Sequence, residues 1–259
     1  MNRIIICLVF FTSIIKIQAQ DLIIKGDNFI YVDNTVLYVN KGIDLQDKQT
    51  NTLDDSMGDD GGTTNGSNIY LRSGAQLIQG DNNEKNTGEG NVSILVGGTT
   101  NKWSYNNWGS PVSAPDNYKG SNNGNTTNGQ YYISQIDEPL KNDGKVNDIE
   151  GIGSKAINSR NAKFTYNRNS TQNPLTISSR YLYKKEDAST WVLIDTDKDG
   201  DLSNELSVKS GYGFAMKGLG EGNNHAKLNA YDFRGKPNNG DITVTIKRGG
   251  DNLTLIGNP

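Results

Sequence analysis

The sequence predicts an all-β protein, a β-sandwich of jelly-roll type preceded by a small β-arch or β-helix-like region. Three observations lead there. Hydrophobic residues are only 33% of the 259-residue chain, yet they gather in short β-branched and aromatic runs such as Val92-Ser93-Ile94-Leu95-Val96 and Ile242-Thr243-Val244-Thr245-Ile246. Thirty glycines separate those runs, as tight corners between thin layers require. Twelve tyrosines against six phenylalanines suit half-exposed strands, where the ring packs and the hydroxyl stays wet.

Composition also excludes function classes. A net charge of −3 and a pI near 5.3 leave no basic footprint for nucleic acid. His225 is the only histidine and Cys7 the only cysteine. A histidine-rich metal site is therefore excluded, and a serine–histidine mechanism has a single candidate base.

Residues 1–19 read as a secretory signal peptide, with Arg3 as the positive start, Ile4 to Ile15 as the apolar stretch and Ala19 at the cleavage point. No later stretch resembles a membrane span. The mature chain would lack cysteine, so packing, hydrogen bonds and ions must replace disulfides.

Residues 20–98 form the expected β-arch region. Leu37-Tyr38-Val39 with Gly42 and Leu45, and Ile69-Tyr70-Leu71 with Gly74 and Leu77, repeat with the same internal spacing. Units too thin to bury their own faces stack on one another. The acidic stretch 54–62 between them reads as a solvated loop.

Residues 99–259 form the expected sandwich domain, predicted to be incomplete at its C-terminal end. In Trp103–Val112, alternation puts Trp103 and Tyr105 on one side of a strand and Trp108 on the other. Trp103, Tyr105 and Trp108 are candidate glycan contacts, because an aromatic face matches the C–H face of a pyranose. The competing reading makes the two tryptophans core anchors in a chain poor in aliphatics. Tyr131-Tyr132-Ile133, Phe164-Thr165-Tyr166 and Arg180–Tyr183 read as strands. Leu228–Phe233 is expected to pair with Ile242–Ile246 across a turn from Arg234 to Asp241, marked by Asn239-Gly240.

The run Asp195-Thr196-Asp197-Lys198-Asp199-Gly200-Asp201-Leu202 matches the opening half of a calcium loop. Carboxylates at alternate positions converge on a hard cation, and glycine at the sixth place allows the sharp turn. The candidate ligands are Asp195, Asp197, Asp199, Asp201, Ser203 and Glu205, with Ca²⁺ in a structural role. The second half departs from the pattern, since Leu206 stands at the twelfth position and Glu205 one residue early. An acidic hairpin turn with no ion is the alternative.

Several segments together resemble the N-terminal region of large secreted surface proteins of Bacteroidota. They are Tyr70-Leu71 with Ala75–Gly80, Tyr105–Val112, Gly211–Lys217, Tyr231–Gly240 and Leu255–Pro259. The resemblance implies export by the type nine secretion system through a C-terminal sorting domain. It also implies that this chain is a truncated portion, since such proteins continue past Gly-Asn-Pro, and it brings no catalytic residues.

The expected function is a non-enzymatic, secreted or outer-surface structural or adhesion module. Its expected partner is a surface glycan or another cell-surface protein. The alternatives are a carbohydrate-binding module and an accessory domain of a larger secreted hydrolase.

Overall fold

The structure, a computed structural model, describes residues 21–46, 67–114, 129–140, 157–172, 174–186, 190–219, 229–246 and 254–258. Outside them lie the signal-peptide reading of 1–19, the acidic stretch 54–62, Glu221 and His225.

The chain is all-β. Its N-terminal part winds in coils: β1 (Leu22–Lys25), β2 (Phe29–Asp33) and β3 (Val36–Val39) make the first, and β4 (Ile43–Gln46), β5 (Asn68–Arg72) and β6 (Gln76–Gln79) the second. A third begins with β7 (Thr87–Gly88) and β8 (Asn91–Gly98). Equivalent strands pair in parallel from coil to coil, β1 with β4 and β4 with β7, β2 with β5 and β5 with β8, and β3 with β6. Inward residues of each coil, among them Ile24, Val32, Val39, Ile43, Leu45, Ile69 and Leu71, share one buried cluster. No coil could bury them alone.

The duplication expected from the sequence is present in a different register. Tyr70 stacks on Tyr31, not Tyr38, and Leu37 stacks on Leu77. The matching units are thus Ile30-Tyr31-Val32 and Ile69-Tyr70-Leu71. The second coil carries residues 47–66 between its first two strands while the first coil has only a short corner there, so a fixed-period search aligns the wrong pair.

The following strands are β9 (Tyr105–Gly109), β10 (Val112–Ser113), β11 (Gln130–Tyr131), β12 (Ile136–Leu140) and β13 (Asn158–Asn161). Then come β14 (Lys163–Thr165), β15 (Thr171–Gln172), β16 (Leu175–Ser178), β17 (Leu182–Lys184) and β18 (Val192–Leu193). The last are β19 (Val208–Lys209), β20 (Gly213–Lys217) and β21 (Asn229–Pro237).

A single seven-stranded sheet runs β13-β12-β21-β8-β5-β2, with β10 also on β21. It crosses the boundary at residue 98 because β8 pairs parallel with β5 on one edge and antiparallel with β21 on the other. Side chains from the end of β21 and the turn after it reinforce the join. Lys236 Nζ donates to the carbonyl oxygens of Gly88 and Gly90 at 2.7 and 2.6 Å, and Asn239 Nδ2 donates to those of Asp81 and Glu84. Carbonyls left free at a coil corner need such donors.

The hairpin expected between Leu228–Phe233 and Ile242–Ile246 does not form. β21 continues straight through Arg234-Gly235-Lys236-Pro237, its edges occupied by β8, β12 and β10, and residues 241–246 carry no strand. The strand expected over Arg180–Tyr183 divides into a 3-10 turn, Ser179–Tyr181, and β17.

A second sheet, ordered β18-β17-β20-β9, faces the first. Its Phe214, Met216 and Leu182 belong to the same core cluster as Tyr231 and Phe233, and partly buried Trp108 packs against it. Trp108 meets Tyr231 edge-on at 5.3 Å and Phe233 at 5.7 Å, and Tyr131 meets Phe233 at 5.9 Å. Large rings fill the gap that the aliphatic-poor composition leaves. Among the described residues no helix is long and apolar enough to cross a membrane.

Candidate functional site

Three places among the described residues bear on the candidate sites. The first is the acid loop following β18. Asp195 and Glu205 form an isolated antiparallel bridge at its neck, and Leu206 N–H donates to Ile194 O at 3.0 Å. Both carboxylates are buried and turned toward backbone donors. Asp195 accepts from Lys198 N–H at 2.9 Å, Gly200 N–H at 3.2 Å and the Ser179 hydroxyl. Glu205 accepts from Ile133 N–H at 2.8 Å and from the N–H and hydroxyl of Ser134. It thereby satisfies the first amides of the 3-10 turn Ile133–Gln135. A Cβ on Gly200 would lie 2.2 Å from Tyr166 N, so the sixth position must be glycine for packing.

The remaining candidate ligands, Asp197, Asp199, Asp201 and Ser203, are exposed. Asp199 Oδ1 accepts from Asp201 N–H at 3.1 Å and Asp201 Oδ1 from Ser203 N–H at 2.7 Å, while Asp197 accepts from Asn204 Nδ2. These short-range bonds shape the turn. Among the described residues no group of three or more acidic, histidine or cysteine side chains stands in a metal-holding arrangement. Three of the loop's carboxylates are thus exposed and two are directed into the protein.

The second place is the outward face of the β18-β17-β20-β9 sheet. Trp103 is 72% exposed and Tyr105 41%, whereas Trp108 points into the core. The structure therefore parts Trp108 from the other two candidate glycan contacts and brings different residues to Tyr105. Lys217, directly opposite on β20, holds its Nζ 3.8 Å from the Tyr181 ring centroid and 5.7 Å from that of Tyr105. Tyr183 meets Tyr105 edge-on at 6.4 Å. Burial, followed by the nearby Tyr183 and Tyr181, raises the Tyr105 hydroxyl above the usual phenol range. The sequence signal was Tyr181-Leu182-Tyr183, read there as strand; Tyr181 instead ends the 3-10 turn and still brings its ring to Lys217.

The third place was not read from the sequence. Arg72 on β5, Ser93 on β8, Asp232 and Arg234 on β21, Asp137 on β12 and Ser159 on β13 form a buried line across the large sheet. Asp232 accepts from Ser93 Oγ at 2.6 Å and Arg234 Nε at 2.9 Å, and stands 3.8 Å from Arg72 Nη2. Asp137 accepts from Ser159 Oγ at 2.6 Å and lies 3.5 Å from Arg234 Nε. Arg72 and Arg234 also lie over the Tyr70 ring at 5.2 and 5.8 Å.

Burial would raise Asp232, but Arg234 and Arg72, with the hydrogen bonds, hold it below the ordinary carboxylate range. Desolvation dominates at Asp137, reinforced by Asp232 against the pull of Arg234, and pushes it up to about 7. The signal lay in Tyr231-Asp232-Phe233-Arg234, an aromatic–charge alternation with strand period.

No family model matches the chain, and no match is found among curated proteins or solved structures.

Proposed function

We propose that the chain is a non-enzymatic, structural or adhesive module of the outer cell surface, delivered by the type nine route that its resemblance implies. The observation that carries this reading is the use of its buried charge. Asp137 and Asp232 accept hydrogen bonds from serines on neighbouring strands, and Asp195 and Glu205 tie the acid loop to the 3-10 turns Ser179–Tyr181 and Ile133–Gln135. Such groups tie layers together where aliphatic packing is sparse. Calcium belongs to the proposal as a stiffener of the acid loop, taken by Asp197, Asp199 and Asp201 with oxygen ligands suited to a hard cation.

The test is protease treatment of intact cells that express the full chain. Loss of the protein from whole cells, with cytosolic markers intact, is expected. Full protection until the cells are broken overturns the reading. A carbohydrate-binding role is favoured as a second reading by the exposure of Trp103 and Tyr105, since solvent-facing aromatic groups of this size commonly mark interaction sites.

A further inference from the structure

We propose that the outward face of the β18-β17-β20-β9 sheet binds an acidic polysaccharide, its sugar rings on Tyr105, Tyr181 and Tyr183 and its carboxylate or sulfate on Lys217. The inference rests on the cell-surface reading and names the partner chemistry for it.

Geometry supplies the first argument. Lys217 and Tyr105 are direct cross-strand partners, and Ala215 lies between Tyr183 and Asn107 in the neighbouring row. Because Ala215 is small, the Tyr105 and Tyr183 rings meet above the sheet at 6.4 Å with an interplanar angle of 64°. Their edges and faces then border the Lys217 ammonium, which Tyr181 backs at 3.8 Å. Trp103, in the turn before β9, has Lys102 Nζ 5.2 Å from its ring. A cation against aromatic faces is held in place while its solvent-side N–H donors stay available.

Charge supplies the second. The four strands carry no carboxylate; of their two lysines, Lys184 is level with inward Phe214 and pairs with Glu186, and Lys217 stands on the outward face. The chain as a whole carries −3. Among the described residues Lys217 forms no ion pair. Its neighbours are rings, which leaves its charge open to an anionic ligand. A neutral sugar would use the rings and leave the ammonium uncompensated. A peptide-like polyanion would use the ammonium and leave the rings bare.

The experiment is affinity electrophoresis of the full chain through gels containing polygalacturonate, dextran sulfate, neutral dextran or polyglutamate. Retardation by polygalacturonate or dextran sulfate, with neutral dextran and polyglutamate much weaker, is expected; the two acidic gels tell uronate from sulfate recognition. Tyr105→Ala and Lys217→Gln each weaken retardation by about tenfold or more, Lys217→Arg keeps most of it, and thermal midpoints stay near that of the parent. If Tyr105→Ala unfolds, the Lys217→Gln and Lys217→Arg pair decides.

Equal retardation by polyglutamate, equal retardation by neutral dextran, no retardation in either acidic gel, or unchanged behaviour of Lys217→Gln each overturns the proposal. None of these results touches the cell-surface reading, which the protease experiment judges separately.

Discussion

Asp195 and Glu205 face each other across the neck of the acid loop, one main-chain bridge joining them while their carboxylates point away to different amides. The loop is thus anchored at its base by two buried acids, and the exposed acids sit at its tip. Asp195→Ala and Glu205→Ala should each cost about 2–3 kcal/mol, the range for buried hydrogen bonds to a charged group. Asp199→Ala, on the exposed tip, should stay within about 0.5 kcal/mol. Urea unfolding of the three variants without divalent metal checks the ranking, and equal losses at tip and base would refute it.

On the proposed reading, calcium would act at the tip. The turn already closes through Asp201 N–H to Asp199 and Ser203 N–H to Asp201, so an ion would add stiffness to a formed loop. With calcium tenfold above its Kd, binding contributes about 1.4 kcal/mol, a rise of roughly 2–4 °C for a chain of this size. Asp197→Ala and Asp199→Ala should remove that rise. Identical melting in calcium and in chelator would end the calcium proposal.

Strand content was legible because alternation survives in runs such as Asn91–Gly98 and Gly213–Lys217, where period two and β-branched or aromatic residues coincide. The parting of Trp108 from Tyr105 was legible for the same reason, but which side faces the core was not, since only the burial of Asn106 beside it shows that. Coil register was not. Tyr31, Tyr38 and Tyr70 sit in near-identical surroundings, and only through-space stacking selects Tyr31 over Tyr38. The Asp232 and Arg234 network was hidden because a charge in a strand ordinarily faces solvent. Burying it requires Arg72 and Asp137 from strands distant in sequence. In the acid loop the residue types pointed to cation chemistry, while the inward turn of Asp195 and Glu205 depends on Ser179 and Ser134, which no local pattern connects to it.

Arg72 supplies the clearest test of the network. Its guanidinium donates to Ser93 O and Ser93 Oγ at 2.9 and 2.8 Å beside Asp232. Arg72→Met keeps the aliphatic stem but removes a counter-charge from a carboxylate with no exposure. The expected loss is about 3–5 kcal/mol, and Arg72→Met with Asp232→Asn should recover part of it. A double variant no more stable than Arg72→Met would show that the charges are uncoupled.

The two buried aspartates give opposite pH dependences. Asp137, raised to about 7 from an ordinary 3.8, must bind a proton on folding between those values. Its contribution therefore declines as pH rises from about 4 to 7 and then levels off. Asp232, held low, contributes above its ordinary value, and that contribution is lost as pH falls through the folded one. Asp137→Asn should remove the decline between pH 5 and 8, while Ser159 can still donate to the amide oxygen. Urea midpoints at both pH values measure this, and a slope unchanged in the variant would place its origin elsewhere.

Gly90 tests the stacked coils. A Cβ there would lie 1.8 Å from Ser67 O and 2.8 Å from Leu45 Cβ, and Gly90 N–H already donates to Leu45 O at 2.9 Å. Ser67 in turn donates to Gly26 O and Gln46 O, which fixes the corner Gly90 abuts. Neither neighbour is the free end of a flexible side chain, so Gly90→Ala must push β8 away from β4 and β5. Overpacking of this kind costs about 3 kcal/mol, at the upper end of its usual range. Gly74 makes the contrast: its φ is +78° with open space around the missing Cβ, so Gly74→Ala should cost only about 1 kcal/mol of backbone strain. Because β8 carries the join to β21, Gly90→Ala should also speed amide hydrogen exchange in Tyr231–Gly235, which Gly74→Ala leaves unchanged. Protection in β21 that survives Gly90→Ala would mean that the coils and the large sheet unfold as separate units.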